Sequence, residues 1–197
     1  MRSNAIIIFV RNPILGKVKT RLAKSIGDTA ALKIYNLLLK HTMQQTENLT
    51  CDKFLFYDTI VAQNDIFDNN KYLKKIQTGN DLGEKMENAF QELFQLGYKN
   101  VIIIGSDLFD LNTNHIENAF LKMENHEVVI GPAEDGGYYL LGLKKIIPPI
   151  FKNKNWGTET VLKQTLENLT TFNVSFLETL NDIDTFEDLE KHQIKIK

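Results

Sequence analysis

Short apolar runs alternate along this chain with longer segments in which apolar residues recur at helical spacing. A short apolar run bounded by turn residues is typical of a strand that is buried on both faces. Runs of this kind predict strands at residues 5–10, 53–57, 72–77, 101–105, 127–131, 138–143 and 173–177. Helical spacing predicts helices at residues 28–47, 83–96 and 157–169, and a further helix starts near residue 20.

The order of these elements predicts an α/β fold. Strands followed by helices, repeated along the chain, indicate a mostly parallel sheet that is covered by helices. Two patterns that resemble helix caps, Asn114-x-x-Glu117 and Thr185-x-x-Asp188, predict two more helix starts. No linker, repeat or low-complexity tract interrupts residues 1–197, so we expect a single domain.

Composition narrows the class of protein. The net charge of -2 gives no basic field of the kind that nucleic-acid-binding proteins use. The single cysteine, Cys51, excludes an intramolecular disulfide and a cysteine-based zinc site. Because no apolar run approaches the roughly twenty residues of a membrane span, we expect a cytoplasmic protein without one. The sequence leaves open whether the protein forms a homo-oligomer.

A basic loop follows the first predicted strand. It places four cations close together in the chain: Arg11, Lys17, Lys19 and Arg21. Gly16 lets the backbone bend, and a helix start near Thr20 would add backbone N–H donors. Such a loop suits a di- or triphosphate, although a solvated basic loop explains the same charges equally well. A Walker A loop is excluded, because Val18 stands where that motif needs Ser or Thr.

Acidic residues follow two parts of the chain that are far apart. Asp107 comes two residues after the strand predicted at residues 101–105. Ligands bind at the carboxyl ends of strands in open α/β sheets, where a carboxylate can hold a hard cation, although Asp107 can also cap a turn. Asp182 and Asp184 alternate on an extended segment and would share a face, which requires a cation or a proton between them. Alternatively, Asp184 only begins a helix.

Two segments rich in glycine complete the candidate site. Residues 79–84 form a turn before a helix, and its backbone groups can contact a nucleobase edge, although Asp81 or Asn80 as a helix cap is the simpler interpretation. In residues 131–139, adjacent glycines permit the close approach of a ligand, and adjacent carboxylates can bind hydroxyls or join a metal shell. A hairpin turn explains only part of this second segment.

Taken in order, these segments resemble a bacterial family of glycosyltransferase-A-like proteins in the nucleotide-diphospho-sugar transferase superfamily. The resemblance rests on NPILGKVKTRLA, GNDLGEKMENAF, VIIIGSDLFDL, PAEDGGYYLLG and NDIDTFEDL, and it covers nearly the whole chain. Guanylyltransferases for 2-phospholactate and for the molybdenum cofactor are more distantly similar. The resemblance implies a Rossmann-like three-layer α/β/α sandwich of the nucleotide-diphospho-sugar transferase (GT-A) type, in which a divalent metal holds nucleotide phosphates.

The family pattern also implies roles for individual residues. Asp107 and Asp184 match its metal ligands, and the metal is Mg²⁺ or Mn²⁺. The residues that match nucleotide-binding positions are Arg11, Gly16, Lys17, Lys19, Arg21, Gly79, Asp81, Gly83, Glu84 and Ser106. The residues that match the second-substrate region are Glu134, Asp135, Gly136, Gly137, Tyr138 and Trp156. Two positions depart from the pattern, since Phe109 replaces a proline and Gly157 replaces a serine.

These matches imply a metal-dependent transferase with a nucleotide-sugar donor and a small-molecule acceptor. Lys17 and Arg21 would stabilise developing charge, and Glu134 or Asp135 would orient or deprotonate the acceptor. Nucleotidyl transfer from a nucleoside triphosphate, as in a guanylyltransferase, would use nearly the same site. A nucleotide-binding protein without turnover is the third interpretation.

Overall fold

The computed structural model describes residues 3–192. Within this range the strands are β1 (Asn4–Val10), β2 (Asp52–Tyr57), β3 (Tyr72–Ile76), β4 (Asn100–Ile104), β5 (Val128–Pro132), β6 (Tyr138–Leu143) and β7 (Val174–Phe176). The α-helices of the same range are α1 (Thr20–Ile26), α2 (Asp28–Thr46), α3 (Leu82–Gln95), α4 (Thr113–Met123), α5 (Val161–Glu167) and α6 (Phe186–Lys191). A 3-10 helix covers Pro148–Phe151.

The strands form one twisted sheet in the order β3-β2-β1-β4-β6-β5-β7. Neighbouring strands are parallel except where β6 runs antiparallel between β4 and β5. The mostly parallel sheet predicted from the sequence is therefore confirmed. The chain leaves β1 toward one edge of the sheet and later returns to β4 on its other side, so the order reverses between β1 and β4. In open α/β sheets such a reversal creates a crevice at the carboxyl ends of the strands.

Alternate residues of the central strands feed two separate cores. In β1, Ile6 and Ile8 pack into the core beneath α2 and α4, whereas Ala5 and Ile7 pack into the core beneath α3. The same alternation places Ile102 of β4 on the first side of the sheet and Ile103 on the second. Helices thus cover both faces, as the three-layer expectation requires.

Most predicted elements lie within a few residues of the observed ones, but two boundaries need correction. The predicted Asn114-x-x-Glu117 cap is wrong, because Asn112 is the extended residue before α4 and its side chain accepts the backbone N–H of His115. The helix predicted from residue 157 begins only at Val161, after turns. The predicted cap at Thr185 is confirmed, since Thr185 and Asp188 form a reciprocal capping box.

Across residues 3–192, no helix combines the length and the apolar character that a membrane crossing requires.

Candidate active site

A cleft of about 550 Å³ opens at the carboxyl ends of the first four strands. Residues that follow each strand contribute to its wall, namely Arg11 after β1, Asp58 after β2, Gln77 after β3 and residues 105–107 after β4. The cleft therefore occupies the crevice that the strand order creates. We call the wall built by the residues after β2 and β3 the β2–β3 side, and the wall built by residues 133–137 the β5–β6 side.

A buried lysine joins the two acidic positions that are far apart in the sequence. The Nζ atom of Lys19 lies 3.2 Å from Asp107 Oδ1 and 2.9 Å from Asp184 Oδ1. The backbone N–H of Ile183 also donates to the carbonyl oxygen of Asp107 at 3.2 Å, which anchors the C-terminal segment beside β4. Arg21 adds a second cation, with its guanidinium 3.7 Å from Asp184 Oδ2. The structure therefore brings Asp107, Asp184 and Arg21 together.

Lys19 is held in an unusual backbone conformation. It lies in the left-handed region, with φ of 47° and ψ of 44°, directly before α1. This conformation costs a residue with a Cβ about 1–2 kcal/mol. Burial alone would lower the pKa of Lys19, but the neighbouring Asp107 and Asp184 carboxylates raise it above its ordinary value. The side chain therefore stays charged between the two aspartates.

Asp182 lines the cleft, together with Asp107 and Asp135. Burial raises its pKa to about 6, and the negative charges of Asp184 and Asp135 contribute to this shift, while Lys19 opposes it. The sequence placed Asp182 and Asp184 on one face, and the resemblance assigned the metal role to Asp184 alone. In the structure, Asp182 faces the cleft while Asp184 contacts the cations Lys19 and Arg21.

The carboxylates of Asp107 and Asp184 are suited to form part of the ligand shell of a divalent metal. Among residues 3–192, no three His, Cys, Asp or Glu side chains are grouped so that they could hold a metal alone. Asp107 and Asp184 nevertheless reach a shared cation, because both contact Lys19 Nζ. Mg²⁺ in nucleotide sites uses one or two carboxylates, with phosphate oxygens and water completing the shell. The donor set on this side of the cleft fits that arrangement.

The basic loop is fastened to the loop after β2 by one buried side chain. The Asn12 amide oxygen accepts the backbone N–H groups of Thr59 and Ile60, and its nitrogen donates to the Ile60 carbonyl at 3.0 Å. The Asn12 backbone N–H donates to Asp58 Oδ1 at 2.7 Å. These bonds fix the start of the loop, where Arg11 lines the cleft.

Other residues of this loop lie further from the cleft wall. Gly16 adopts φ of 73° beside the Asp28 carboxylate, in a conformation that favours glycine. Lys17 is exposed to solvent, and Arg21 reaches inward only to Asp184. Of the predicted cations, Arg11 and Lys19 are therefore the ones most closely integrated into the site.

The sequence did not single out Tyr35, which links the ends of two central strands. Its hydroxyl accepts the backbone N–H of Arg11 at 2.8 Å and donates to the Arg11 carbonyl at 3.1 Å. The same oxygen lies 3.3 Å from Ser106 Oγ, so the predicted residue Ser106 sits at the floor of the cleft. Tyr35 lies on α2 at helical spacing with Ala31 and Leu38, and this pattern marks it only as a core residue.

The β2–β3 side presents mainly hydrogen-bond acceptors to the cleft. Gln77 donates both hydrogens of its amide nitrogen to backbone carbonyls, to Phe56 at 3.0 Å and to Val10 at 3.3 Å. Among residues 3–192 its amide oxygen has no hydrogen-bond partner, and Gln77 lines the cleft. The carboxylates of Asp58 and Asp81 line the same side, and Lys85 is a cation among them. Sequence reasoning missed Gln77, Asp58 and Lys85.

The predicted segment 79–84 divides into a part that lines the cleft and a part that shapes its turn. Asp81 lines the cleft and also caps α3, because its Oδ1 accepts the Glu84 backbone N–H at 2.8 Å. The Glu84 carboxylate accepts both the backbone and the side-chain N–H of Asn80, which closes the turn. Gly79 adopts φ of 140° against the start of α3, and Gly83 is buried.

Trp156 connects the two sides of the cleft. A Cβ atom at Gly83 would lie 2.1 Å from the Phe151 carbonyl oxygen and 2.8 Å from the Trp156 ring. Gly83 therefore lets Trp156 pack against the start of α3 while the same ring lines the cleft. This packing accounts for Gly83 without any contact to a ligand.

The β5–β6 side places one of the two predicted acids in the cleft. Asp135 lines it with Gly137 and Tyr138, and Asp135 Oδ1 accepts the Gly137 N–H at 2.8 Å. Glu134 instead lines a separate pocket of about 350 Å³, where its carboxylate lies 3.6 Å from Lys191 Nζ. The two acids lie in the turn between β5 and β6, and only Asp135 of the pair lines the cleft.

Gly136 supports this side from behind. It adopts φ of 84°, and a Cβ atom there would lie 2.2 Å from the Glu159 carbonyl oxygen. Its own carbonyl oxygen accepts the Leu162 N–H at 2.9 Å. Gly136 thus docks the hairpin between β5 and β6 onto the start of α5.

The strand order and the cleft at the reversal point define a protein with the nucleotide-diphospho-sugar transferase fold. The crystal structure of 4-diphosphocytidyl-2C-methyl-D-erythritol synthase from Anaerococcus prevotii shares this fold at a TM-score of 0.61, with 10% identity over 96% of this chain and 94% of that one. The chain belongs to the bacterial family described as "uncharacterized protein conserved in bacteria (DUF2064)", whose model matches residues 41–158.

Two more similar proteins have the names of transferases. A protein from Desulfovibrio desulfuricans G20, described as a candidate nucleotide-diphospho-sugar transferase, superposes with a TM-score of 0.85 and 33% identity. That match covers 94% of this chain and 84% of the other. A 2-phospho-L-lactate guanylyltransferase from Methanocaldococcus jannaschii is 27% identical over 141 residues, which are 70% of this chain. The matched region spans only 59% of the length of that relative.

Proposed function

We propose that this chain is a divalent-metal-dependent transferase whose donor is a nucleoside triphosphate. The observation that carries the proposal is that Asp107, which lines the cleft with Arg11, shares one cation with Asp184. A metal held by these aspartates would neutralise charge on the donor phosphates. Nucleotidyl transfer would then proceed by attack of an acceptor oxygen on the α-phosphorus, with pyrophosphate as the leaving group.

The protein side chains have distinct tasks in this reaction. Arg11 and the cations of its loop offset the charge that develops on the leaving pyrophosphate, with Arg21 at the outer end. Asp135, on the opposite side of the cleft, accepts a hydrogen bond from the acceptor and takes its proton where the attacking group is a hydroxyl. Glu134 is the weaker candidate for this task, because it lies in the separate pocket with Lys191.

The β2–β3 side supports a base that carries an amino group. Its oriented acceptors, Gln77 Oε1 and the carboxylates of Asp58 and Asp81, complement N–H donors on a base edge. Guanine offers a ring N–H beside an amino group, which matches a carboxylate or amide oxygen. Uracil has no amino group, and two carbonyl oxygens flank its single ring N–H, so these acceptors would repel most of its edge. GTP is therefore the first donor to test.

The charge of the basic loop favours a triphosphate over a nucleotide-sugar. Four cations lie in or beside the loop, and a triphosphate has about twice the negative charge of a diphosphate ester. The name of the archaeal relative, a guanylyltransferase, also supports a nucleoside triphosphate as the donor. Glycosyl transfer from a nucleotide-sugar is the second candidate, and the name of the Desulfovibrio protein supports it.

A product assay separates these reactions. The protein would be incubated with Mg²⁺ or Mn²⁺ and with GTP, CTP, ATP, UTP or nucleotide-sugars, using phosphorylated hydroxy acids such as 2-phospho-L-lactate as acceptors. Pyrophosphate release that depends on metal and acceptor supports nucleotidyl transfer, whereas release of a nucleoside diphosphate from a nucleotide-sugar supports glycosyl transfer. Tight nucleotide binding without product from any acceptor would favour the binding protein instead.

A further inference from the structure

Lys19 occupies the position where the proposed function requires a metal. Its side chain is 3% exposed, and its ammonium group contacts the Oδ1 atoms of both proposed metal ligands, Asp107 and Asp184. The left-handed backbone of Lys19 costs free energy, and it directs the side chain into this position. The protein therefore supplies its own cation where a metal is expected to bind.

An ammonium group and a divalent metal are poorly compatible on the same two oxygens. Mg²⁺ binds oxygen at about 2.1 Å, so a metal on Asp107 Oδ1 would lie at most roughly 5 Å from Lys19 Nζ. At this separation the two cations repel each other. Either Lys19 leaves its position or the metal binds weakly.

We propose that Lys19 is an internal competitor of the metal, which occupies the Asp107–Asp184 pair until the phosphates of a nucleotide draw the ammonium away. This inference rests on the proposed function, because it needs an anionic ligand in the same cleft. Lys19 is a positioning residue in this account, since it acts through the two aspartates. Metal and nucleotide then bind with positive coupling, and each strengthens the binding of the other by the same factor.

Mn²⁺ binding to the nucleotide-free protein tests the first half of the inference. Free Mn²⁺ would be measured by electron paramagnetic resonance in the wild type and in Lys19→Met, which keeps the apolar stem and removes the charge. We expect Lys19→Met to bind Mn²⁺ at least tenfold more tightly than the wild type. Equal or weaker binding by a folded Lys19→Met protein would overturn the inference.

Two control variants separate competition from a general effect of charge. Lys19→Arg keeps a cation at the site, and Lys17→Met removes an exposed cation from the same loop. Both should bind Mn²⁺ within about twofold of the wild type. If the Mn²⁺ affinity of Lys17→Met rose as much as that of Lys19→Met, this result would also overturn the inference.

The wild type provides a measurement that does not depend on whether a variant folds. The side-chain ¹⁵N signal of Lys19, protected from exchange by its burial, would be followed during a titration with Mg²⁺ and GTP. We expect the signal to move or to vanish only when both are present, and an unchanged signal at saturation would contradict the second half of the inference. Failure of GTP to bind any variant would instead overturn the proposed function, and the nucleotide-free Mn²⁺ comparison would still stand.

Discussion

The two sides of the cleft are held in place by different forces. On the β2–β3 side, side-chain amides hold the loops by hydrogen bonds to backbone groups. The Asn12 amide takes part in three of these bonds and the Gln77 amide in two. On the β5–β6 side, close packing replaces these bonds, since Gly131 lies against the Tyr139 ring and Gly136 against the Glu159 backbone.

This difference indicates how each side can change without loss of the fold. A side built on hydrogen bonds holds polar groups at fixed positions, which suits recognition of one base edge. A side built on glycine packing fixes the backbone, and its acidic side chain, Asp135, is exposed. We therefore expect donor recognition to be sensitive to buried polar residues, and acceptor recognition to be sensitive to the path of the hairpin.

The largest effect is expected from Gly136→Ala. The new methyl group would lie against the Glu159 carbonyl oxygen, and the positive φ adds backbone strain, so unfolding should become easier by about 3 kcal/mol or more. Gly97→Ala is the matched control, because Gly97 also has a positive φ but has no atom within 4 Å of the new methyl group. Gly97→Ala should lower the free energy of unfolding by only about 1 kcal/mol. Similar losses in urea unfolding for the two variants would contradict the packing argument.

Asn12→Ala should have the next largest effect. It removes three partly buried hydrogen bonds to the backbone of the loop after β2, which should destabilise the protein by about 2–3 kcal/mol. Asn80→Ala, at an exposed turn near the same cleft, should change stability by no more than about 0.5 kcal/mol. Chemical denaturation measures both, and a loss for Asn12→Ala as small as that for Asn80→Ala would show that the loop is not held this way.

A smaller effect, on specificity, is expected from Gln77→Met. The variant keeps the length of the side chain but removes the oriented amide oxygen, so the preference for GTP over UTP should fall about tenfold. The affinity for inorganic tripolyphosphate should not change, because the basic loop is intact. Gln91→Met, on the exposed face of α3, is the control and should leave the preference as it is. Calorimetry that finds the same GTP preference in wild type and Gln77→Met would exclude this role.

The smallest effect concerns His192, beside the pocket of Glu134. Burial alone would lower the pKa of His192, but hydrogen bonds to the Asp188 carbonyl and the Asp110 carboxylate raise it above 6.5. A raised pKa in the folded state means that the charged form stabilises the fold at low pH and that this stabilisation is lost as pH rises through the folded-state value.

Thermal unfolding measures this effect. The Tm difference between the wild type and His192→Gln should be largest at pH 6 and should shrink toward pH 8. A difference that stays constant over this range would show that the charge of His192 does not contribute.

Sequence patterns predicted the fold well because its strands are buried on both faces. The continuous apolar runs of β1 and β4, residues 4–10 and 100–104, identify the centre of a parallel sheet without any tertiary information. The start of α4 was missed because Asn112 and Asn114 are both good caps, and only the backbone of Asn112 is extended.

The acidic pair of the site was predictable, but its surroundings were not. Acids after a strand and in an Asp-x-Asp pattern suggested a cation, and the family resemblance then singled out Asp107 and Asp184. The position of Lys19 between them depends on a left-handed backbone that a lysine rarely adopts, so no sequence pattern predicted it. Gln77 was missed for a similar reason, since its role arises from carbonyls at the ends of two other strands.

Calorimetric titration of GTP in the presence and absence of Mg²⁺ tests the central claim most directly. Asp107→Asn should lose the Mg²⁺-dependent part of the affinity, by about a hundredfold or more, while its thermal unfolding remains cooperative. Asp110→Asn, three residues further along the same loop and bonded to His192, should bind within about threefold of the wild type. A folded Asp107→Asn protein that binds Mg²⁺ and GTP as tightly as the wild type would contradict the account.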